Sequence, residues 1–211
     1  MSELRKYHPE IEPHHEILGK LPIVSVTGSI ASGKDTAGAI LQEELGFLPL
    51  STSDILRNLV ASTGMKPPFR REDLSAFVWD QISQHGDDFW VKHTLDVAAK
   101  SIKGTSFAGI THIGTRIPAD ISFLKKFPKT MSIWIEVDPD TRMTRLIDRG
   151  ATPIQVDEFE DRDPKENEIM LPIKDNVDVV ISNSGDIDLF RRDLVAAVSE
   201  RFLLDDRKLK E

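Results

Sequence analysis

Hydrophobic and polar positions along the chain fall into short apolar runs separated by amphipathic stretches. Leu21-Pro22-Ile23-Val24-Ser25-Val26-Thr27 is a nearly continuous apolar, β-branched run, the pattern of a buried strand. After it, Ala37, Ile40, Leu41 and Leu45 recur at helical spacing, and Gly46 supplies a stop. Phe47–Leu50 predicts a second strand, 106–113 a third, Met131–Val137 a fourth and Val177–Asn183 a fifth. Residues 65–103 read as mostly helical. One segment opens at Arg70, Arg71, Glu72 and Asp73, carries Leu74, Phe77, Val78 and Ile82, and breaks at Gly86; another carries Phe89, Val91, Leu95, Val97 and Ala98. Phe77, Trp79 and Trp90 read mainly as packing residues. A further helix starts at Asp138-Pro139-Asp140, and a last one runs from Asp188 to about Leu204. Alternation of strands and helices predicts an α/β fold: a five-stranded parallel sheet with helices on both faces.

Composition narrows the classes of function. The chain has 211 residues, enough for one medium domain, and 39% of them are hydrophobic, which supports a packed core. It has no cysteine, so disulfides, thiolate metal sites and cysteine nucleophiles are excluded, and a cytoplasmic address fits. The formal net charge of -8 disfavours binding to nucleic acid polymers or to an anionic membrane surface. No run reaches the roughly 20 apolar residues of a membrane span. Residues 1–19 are expected to be a polar tail without the apolar segment of a leader, and 206–211 a charged tail. The histidines of the first tail, His8, His14 and His15, suit weak surface metal binding at most.

The candidate chemistry begins where the first strand ends. Gly28-Ser29-Ile30-Ala31-Ser32-Gly33-Lys34-Asp35-Thr36 places G-x-x-x-x-G-K between a strand and a helix, the context of a phosphate-binding loop. Gly28 and Gly33 allow backbone angles that a Cβ resists, so that successive N–H groups converge on phosphate oxygens. The helix N-terminus adds positive potential, and Lys34 reaches the β- and γ-phosphates. Gly28, Ser29, Ala31, Ser32, Gly33, Lys34, Asp35 and Thr36 are therefore the expected nucleotide-binding residues. Asp35 stands where a metal-binding Ser/Thr is usual. It either holds Mg²⁺ as a hard oxygen ligand or caps the helix.

A second phosphate site follows the second strand. Ser51-Thr52-Ser53-Asp54-Ile55-Leu56-Arg57 opens a helix with cap candidates, and Arg57, one turn in, can grip a phosphate with both guanidinium arms. Gly114-Thr115-Arg116 lies at the C-terminal end of the third strand, on the side of the sheet where open α/β folds bind ligands. Arg145 and Arg149, four apart on one helix, form either a phosphate clamp or a solvated basic face. Residues 150–170, rich in Gly, Pro and acids, suit a short lid in which Arg162 contacts phosphate.

Ser-Thr-x-Asp-x-Leu-Arg resembles the nucleoside-monophosphate-binding segment of adenylate kinases, with Ser53 where that family has Gly. Across about 21–203 the chain is similar to the P-loop nucleoside-monophosphate kinase group, and to its dephospho-CoA kinase and adenylate-kinase-related branch. Lys-Asp-Thr also resembles some deoxynucleoside-monophosphate kinases. The resemblance implies a three-layer P-loop NTPase fold over 20–205, with a small helical acceptor lobe at about 51–103 and a lid at about 150–170. It implies ATP and Mg²⁺, Thr52, Asp54, Arg57 and Arg116 on the acceptor, and Asn183 and Gly185 beside the nucleotide base. Lys34, Arg145, Arg149 and Arg162 would steady the transferring charge. The family's acid before Gly114 is absent: the chain reads His112-Ile113-Gly114. His112 is either an acceptor-site donor or a satisfied strand histidine.

These residues predict an ATP-dependent phosphotransferase acting on a small acceptor: a nucleoside or deoxynucleoside monophosphate, or a dephospho-CoA-like metabolite. The alternatives are a catalytically degenerate nucleotide-binding module, motivated by Ile113, and an acceptor-independent NTPase. No Asn-Lys-x-Asp guanine motif is present.

Overall fold

The computed structural model describes residues 15–152, 168 and 170–208. Most of the expected lid, Arg162 with it, and the first fourteen residues, including His8 and His14, lie outside the described residues.

Five parallel strands form one sheet: β1 (Ile23–Thr27), β2 (Phe47–Ser51), β3 (Gly109–Ile113), β4 (Thr130–Glu136) and β5 (Val179–Ser182), in the order β2-β3-β1-β4-β5. The helices are α1 (His15–Leu18), α2 (Lys34–Leu45), α3 (Thr52–Ser62), α4 (Arg71–His85), α5 (Phe89–Ser101), α6 (Pro118–Leu124), α7 (Pro139–Asp148) and α8 (Ile187–Lys208). A helical turn also covers 170–174. The five-stranded parallel sheet with helices on both faces is the architecture that the periodicity predicts.

β1 sits between β3 and β4 and is buried along its whole length, which is why it reads as an unbroken apolar run. On one face Val24, Val26, Met131, Ile133 and Ile135 pack against Ile40 and Leu41 of α2 and Phe190, Leu194 and Val198 of α8. On the other, Ile23 and Ile110 pack against Val91, Leu95 and Ala98 of α5 and Phe123 of α6. Gly46 ends α2 in the left-handed region at φ 70, with its N–H on the carbonyls of Leu41 and Gln42.

Three boundaries differ from expectation. Leu18 is completely buried in the second cluster, so the packed body begins before residue 20. The last helix continues through Lys208, into the stretch expected as a tail. α5 is part of the layer on the sheet rather than of a separate lobe, because its apolar face lies on β3; of the expected helical lobe, α3 and α4 are left. Trp79 of α4 is 52% exposed, whereas Trp90 of α5 is buried.

Candidate active site

The loop between β1 and α2 is closely constrained. Gly28 has φ +145, and a Cβ there would lie 2.5 Å from the Ile135 carbonyl oxygen of β4. Gly33 has φ +99, and a Cβ would run into the Asn183 side-chain nitrogen. Both glycines are thus demanded by conformation and by close approach at once. Ala31 also takes a left-handed conformation, φ 58, at the cost that a Cβ brings. Lys34 folds back on the loop, its Nζ donating to the carbonyls of Gly28 at 2.9 Å and Ser29 at 2.7 Å. Thr36 is half-buried, whereas Asp35 is exposed on the first turn of α2.

Asn183, at the end of β5, is 3% exposed and braces this loop. Its Nδ2 donates to the Ser32 carbonyl at 2.7 Å. Arg145 of α7 donates through Nη2 to the Asn183 carbonyl at 2.7 Å and to Asn183 Oδ1 at 3.4 Å. The structure therefore brings Arg145, Asn183 and Ser32 into one chain against the loop. Two groups there are buried without a hydrogen-bond partner among the described residues: Ser32 Oγ and Arg145 Nη1. Buried donors are normally paired, and a hydroxyl and a guanidinium nitrogen beside a glycine loop at a helix N-terminus suit phosphate oxygens. The donor set fits a nucleotide. Gly185 is exposed, and Arg149, at the C-terminal end of α7, is exposed as well, so the shared-face clamp has one arm at the loop and one in solvent.

At the end of β2, Ser51 caps α3 and accepts the Asp54 N–H. Asp54 and Arg57 are both exposed and pair with each other at 2.9 Å. Thr52 Oγ1 lies 3.4 Å from both His112 Nε2 and Thr94 Oγ1. Arg116 is exposed just beyond β3, and the Arg116 and Ile117 N–H groups donate to Asp120 Oδ2 at 3.1 and 3.4 Å. Asp120 is 4% exposed; burial pushes its carboxyl up to about 6, and its Oδ1 has no partner among the described residues.

Ile113, where an acid is usual, is buried, and a Cβ on Gly38 of α2 would run into its Cδ1. Its side chain belongs to the packing between sheet and α2. Among the described residues no group of three or more His, Asp or Glu side chains could hold a metal ion. Sequence reasoning missed Asn183 as a brace of the loop and Asp120 altogether, because each acts through a partner far along the chain or through burial; the only legible sign of Asp120 was an acid at the start of a helix.

No family model matches the chain. The human adenylate kinase isoenzyme 1 is 26% identical over 151 residues, covering 69% of this chain and 73% of that protein, and the rat adenylate kinase isoenzyme 1 is 26% identical over 149 residues. Among solved structures, TT1252 from Thermus thermophilus superposes with a TM-score of 0.59 at 15% identity, covering 85% of this chain and 97% of that one. A shikimate kinase from Acinetobacter baumannii in complex with shikimate superposes with a TM-score of 0.53 at 17% identity, covering 92% and 99%. A gluconokinase from Sinorhizobium meliloti gives 0.52 at 13%, covering 90% and 97%. These likenesses show a shared fold.

Proposed function

We propose that this chain is an ATP-dependent small-molecule phosphotransferase of the cytoplasm, with an acceptor of the nucleoside or deoxynucleoside monophosphate class or a dephospho-CoA-like metabolite. The carrying observation is the braced loop of Gly28–Thr36, with the partnerless Ser32 Oγ and Arg145 Nη1 beside it. Similarity to adenylate kinases and a fold shared with a shikimate kinase and a gluconokinase support the reading.

ATP with Mg²⁺ supplies the phosphoryl group and the cation that offsets its charge. The loop N–H groups and Ser32 hold the phosphates. Lys34 exchanges two carbonyls for phosphate oxygens, and charge-assisted bonds are the stronger kind. Arg145 presents Nη1 while Nη2 stays on Asn183; Arg149 adds charge at the C-terminal end of α7, and Arg162 keeps the phosphate-contact role that the resemblance implies. Asp35, with Thr36 beside it, would be the protein's contribution to holding a Mg²⁺ that offsets phosphate charge. On the acceptor side Thr52, Asp54, Arg57 and Arg116 bind and orient. The exposed Asp54–Arg57 pair is worth little, so Arg57 leaves it readily for a phosphate. Asn183 has its amide on Ser32, so the nucleotide base meets Gly185 and the backbone beside it. Catalysis is positioning and charge stabilisation.

The test is ADP release from Mg·ATP against a panel of NMPs, dNMPs and dephospho-CoA, with an acceptor-free control and Lys34→Ala. Acceptor-dependent release that falls by about 10²-fold or more in the variant is expected; undiminished release in Lys34→Ala refutes the assignment. Burial of Ile113 in the α2 packing favours a second reading, nucleotide binding without transfer. ATP binding by titration, with no ADP release for any acceptor, selects it, and steady release without acceptor selects an NTPase.

A further inference from the structure

The helix-α5 face of the sheet turns polar towards its C-terminal end. In register across the strands lie His112 of β3, Ser25 of β1 and Ser132 of β4, with Asp178 bonded to Ser132. His112 is completely buried between apolar layers, and burial alone lowers its pKa to about 4, so the ring is neutral near pH 7. A neutral imidazole has one donor and one acceptor nitrogen.

The surrounding hydroxyls decide which is which. Thr94 Oγ1 donates to the Trp90 carbonyl at 2.9 Å, which leaves it only able to accept. Four contacts remain: Ser25 Oγ with Thr115 Oγ1 at 2.6 Å, Thr115 Oγ1 with His112 Nδ1 at 3.3 Å, His112 Nε2 with Thr52 Oγ1 at 3.4 Å, and Thr52 Oγ1 with Thr94 Oγ1 at 3.4 Å. Four protons are available, one each from Ser25, Thr115, His112 and Thr52. Only one arrangement gives every contact a proton. Ser25 donates to Thr115, Thr115 to Nδ1, Nε2–H to Thr52, and Thr52 to Thr94. Any reversal leaves at least one of the four contacts as two acceptors without a proton.

We propose that His112 is a positioning residue: held as the Nε2–H tautomer, it makes the Thr52 hydroxyl a donor by necessity, so that the acceptor substrate is recognised at Thr52 through an anionic oxygen, of a phosphate or of a carboxylate. The last contact in the chain is the one that a ligand replaces, because Thr52 is the donor in it: Thr52 turns its proton from Thr94 to the ligand while Nε2–H keeps hold of the oxygen. The assignment of Thr52 to the acceptor rests on the proposed phosphotransfer; the tautomer does not.

The experiment is two-bond ¹H–¹⁵N correlation NMR of the ¹⁵N-histidine full chain. The His112 signal is the one missing in His112→Phe or, should that variant not fold, the one that moves in Thr115→Val. The expected result is a neutral Nε2–H ring that does not titrate from about pH 5.5 to about pH 8. A Nδ1–H ring or an imidazolium in that range overturns the relay. With a non-hydrolysable ATP analogue and Mg²⁺ saturating the loop, inorganic phosphate and acetate are then titrated separately. A saturating shift of the His112 ring signal with one of them, lost in Thr52→Val, is expected, and which anion gives it separates phosphate from carboxylate. No shift with either anion overturns the donor role. An anion response in a chain that releases no ADP leaves this inference standing while the phosphotransfer reading falls.

Discussion

At the scale of single residues, the loop shows how one conformation is held by several side chains at once. Ala31 keeps a left-handed φ of 58 inside the loop. Replacing it with glycine removes the Cβ penalty of about 1–2 kcal/mol and adds back less than 1 kcal/mol of chain entropy. Ala31→Gly is therefore expected to raise stability by about 1 kcal/mol, read as a shift of the urea midpoint at unchanged slope; a lower midpoint contradicts the strain. Asn183 carries the brace through Nδ2 and its carbonyl. Asn183→Leu leaves the Ser32 carbonyl and the Arg145 guanidinium short of partners, so it is expected to cost about 2 kcal/mol and to weaken ATP binding measured by titration. Asp120 differs in sign. Burial raises its carboxyl from 3.8 to about 6, so the folded state binds that proton more tightly than the unfolded chain. Its contribution to stability is fully present below about pH 3.8 and is lost as pH rises through about 6. Asp120→Asn keeps an oxygen for the Arg116 and Ile117 N–H groups without the charge. Relative to wild type, the variant should gain of order 2 kcal/mol between about pH 4 and about pH 8. Equal differences in urea midpoints at both pH values would count against the buried charge.

At the scale of elements, the periodicity located the five strands and the long helices of the described residues, misplaced some ends, and missed the short helices α1 and α6. The third strand reads as 106–113 because Phe107, Ala108 and Ile110 are all apolar, but pairing starts only at Gly109, where β3 enters between β1 and β2. A Cβ on Gly109 would lie 2.7 Å from the Phe47 ring and 2.9 Å from the Pro22 carbonyl oxygen, and the second of these belongs to backbone that cannot swing aside. Gly109→Ala is accordingly expected to destabilise by about 2–3 kcal/mol, a drop of roughly 5–10 °C in melting temperature for a domain of this size. An unchanged melting temperature would mean that both the Phe47 ring and the backbone at Pro22 give way. α5 was assigned to an acceptor lobe because its residues follow α4 in sequence. Its burial against β3 is a tertiary fact, and nothing in a helical repeat says which neighbour will cover the apolar face.

For the whole molecule, the parallel strand order β2-β3-β1-β4-β5 puts the C-terminal ends of β1, β3 and β5 on one edge of the sheet, where Asn183 bonds the loop and Arg116 follows β3. A nucleotide that bridges these parts should stabilise all of them together. At about 100 times its dissociation constant, Mg·ATP is expected to add about 2.7 kcal/mol, a rise of several degrees in melting temperature that Lys34→Ala reduces. The sequence by itself determined the α/β class, the parallel sheet, the phosphate loop and the arginines after it. These depend on local chemistry: an apolar run, two glycines at a set spacing, a helix start. Tertiary structure decided the rest. It put Asn183 under a loop 150 residues away in the chain, turned Asp35 to solvent, packed Ile113 into α2 and aligned Ser25, His112 and Ser132 across three strands. The physical reason is that hydrogen-bond direction, burial and strand register are properties of pairs of residues brought together by folding, and a single chain read in order carries no record of which pairs will meet.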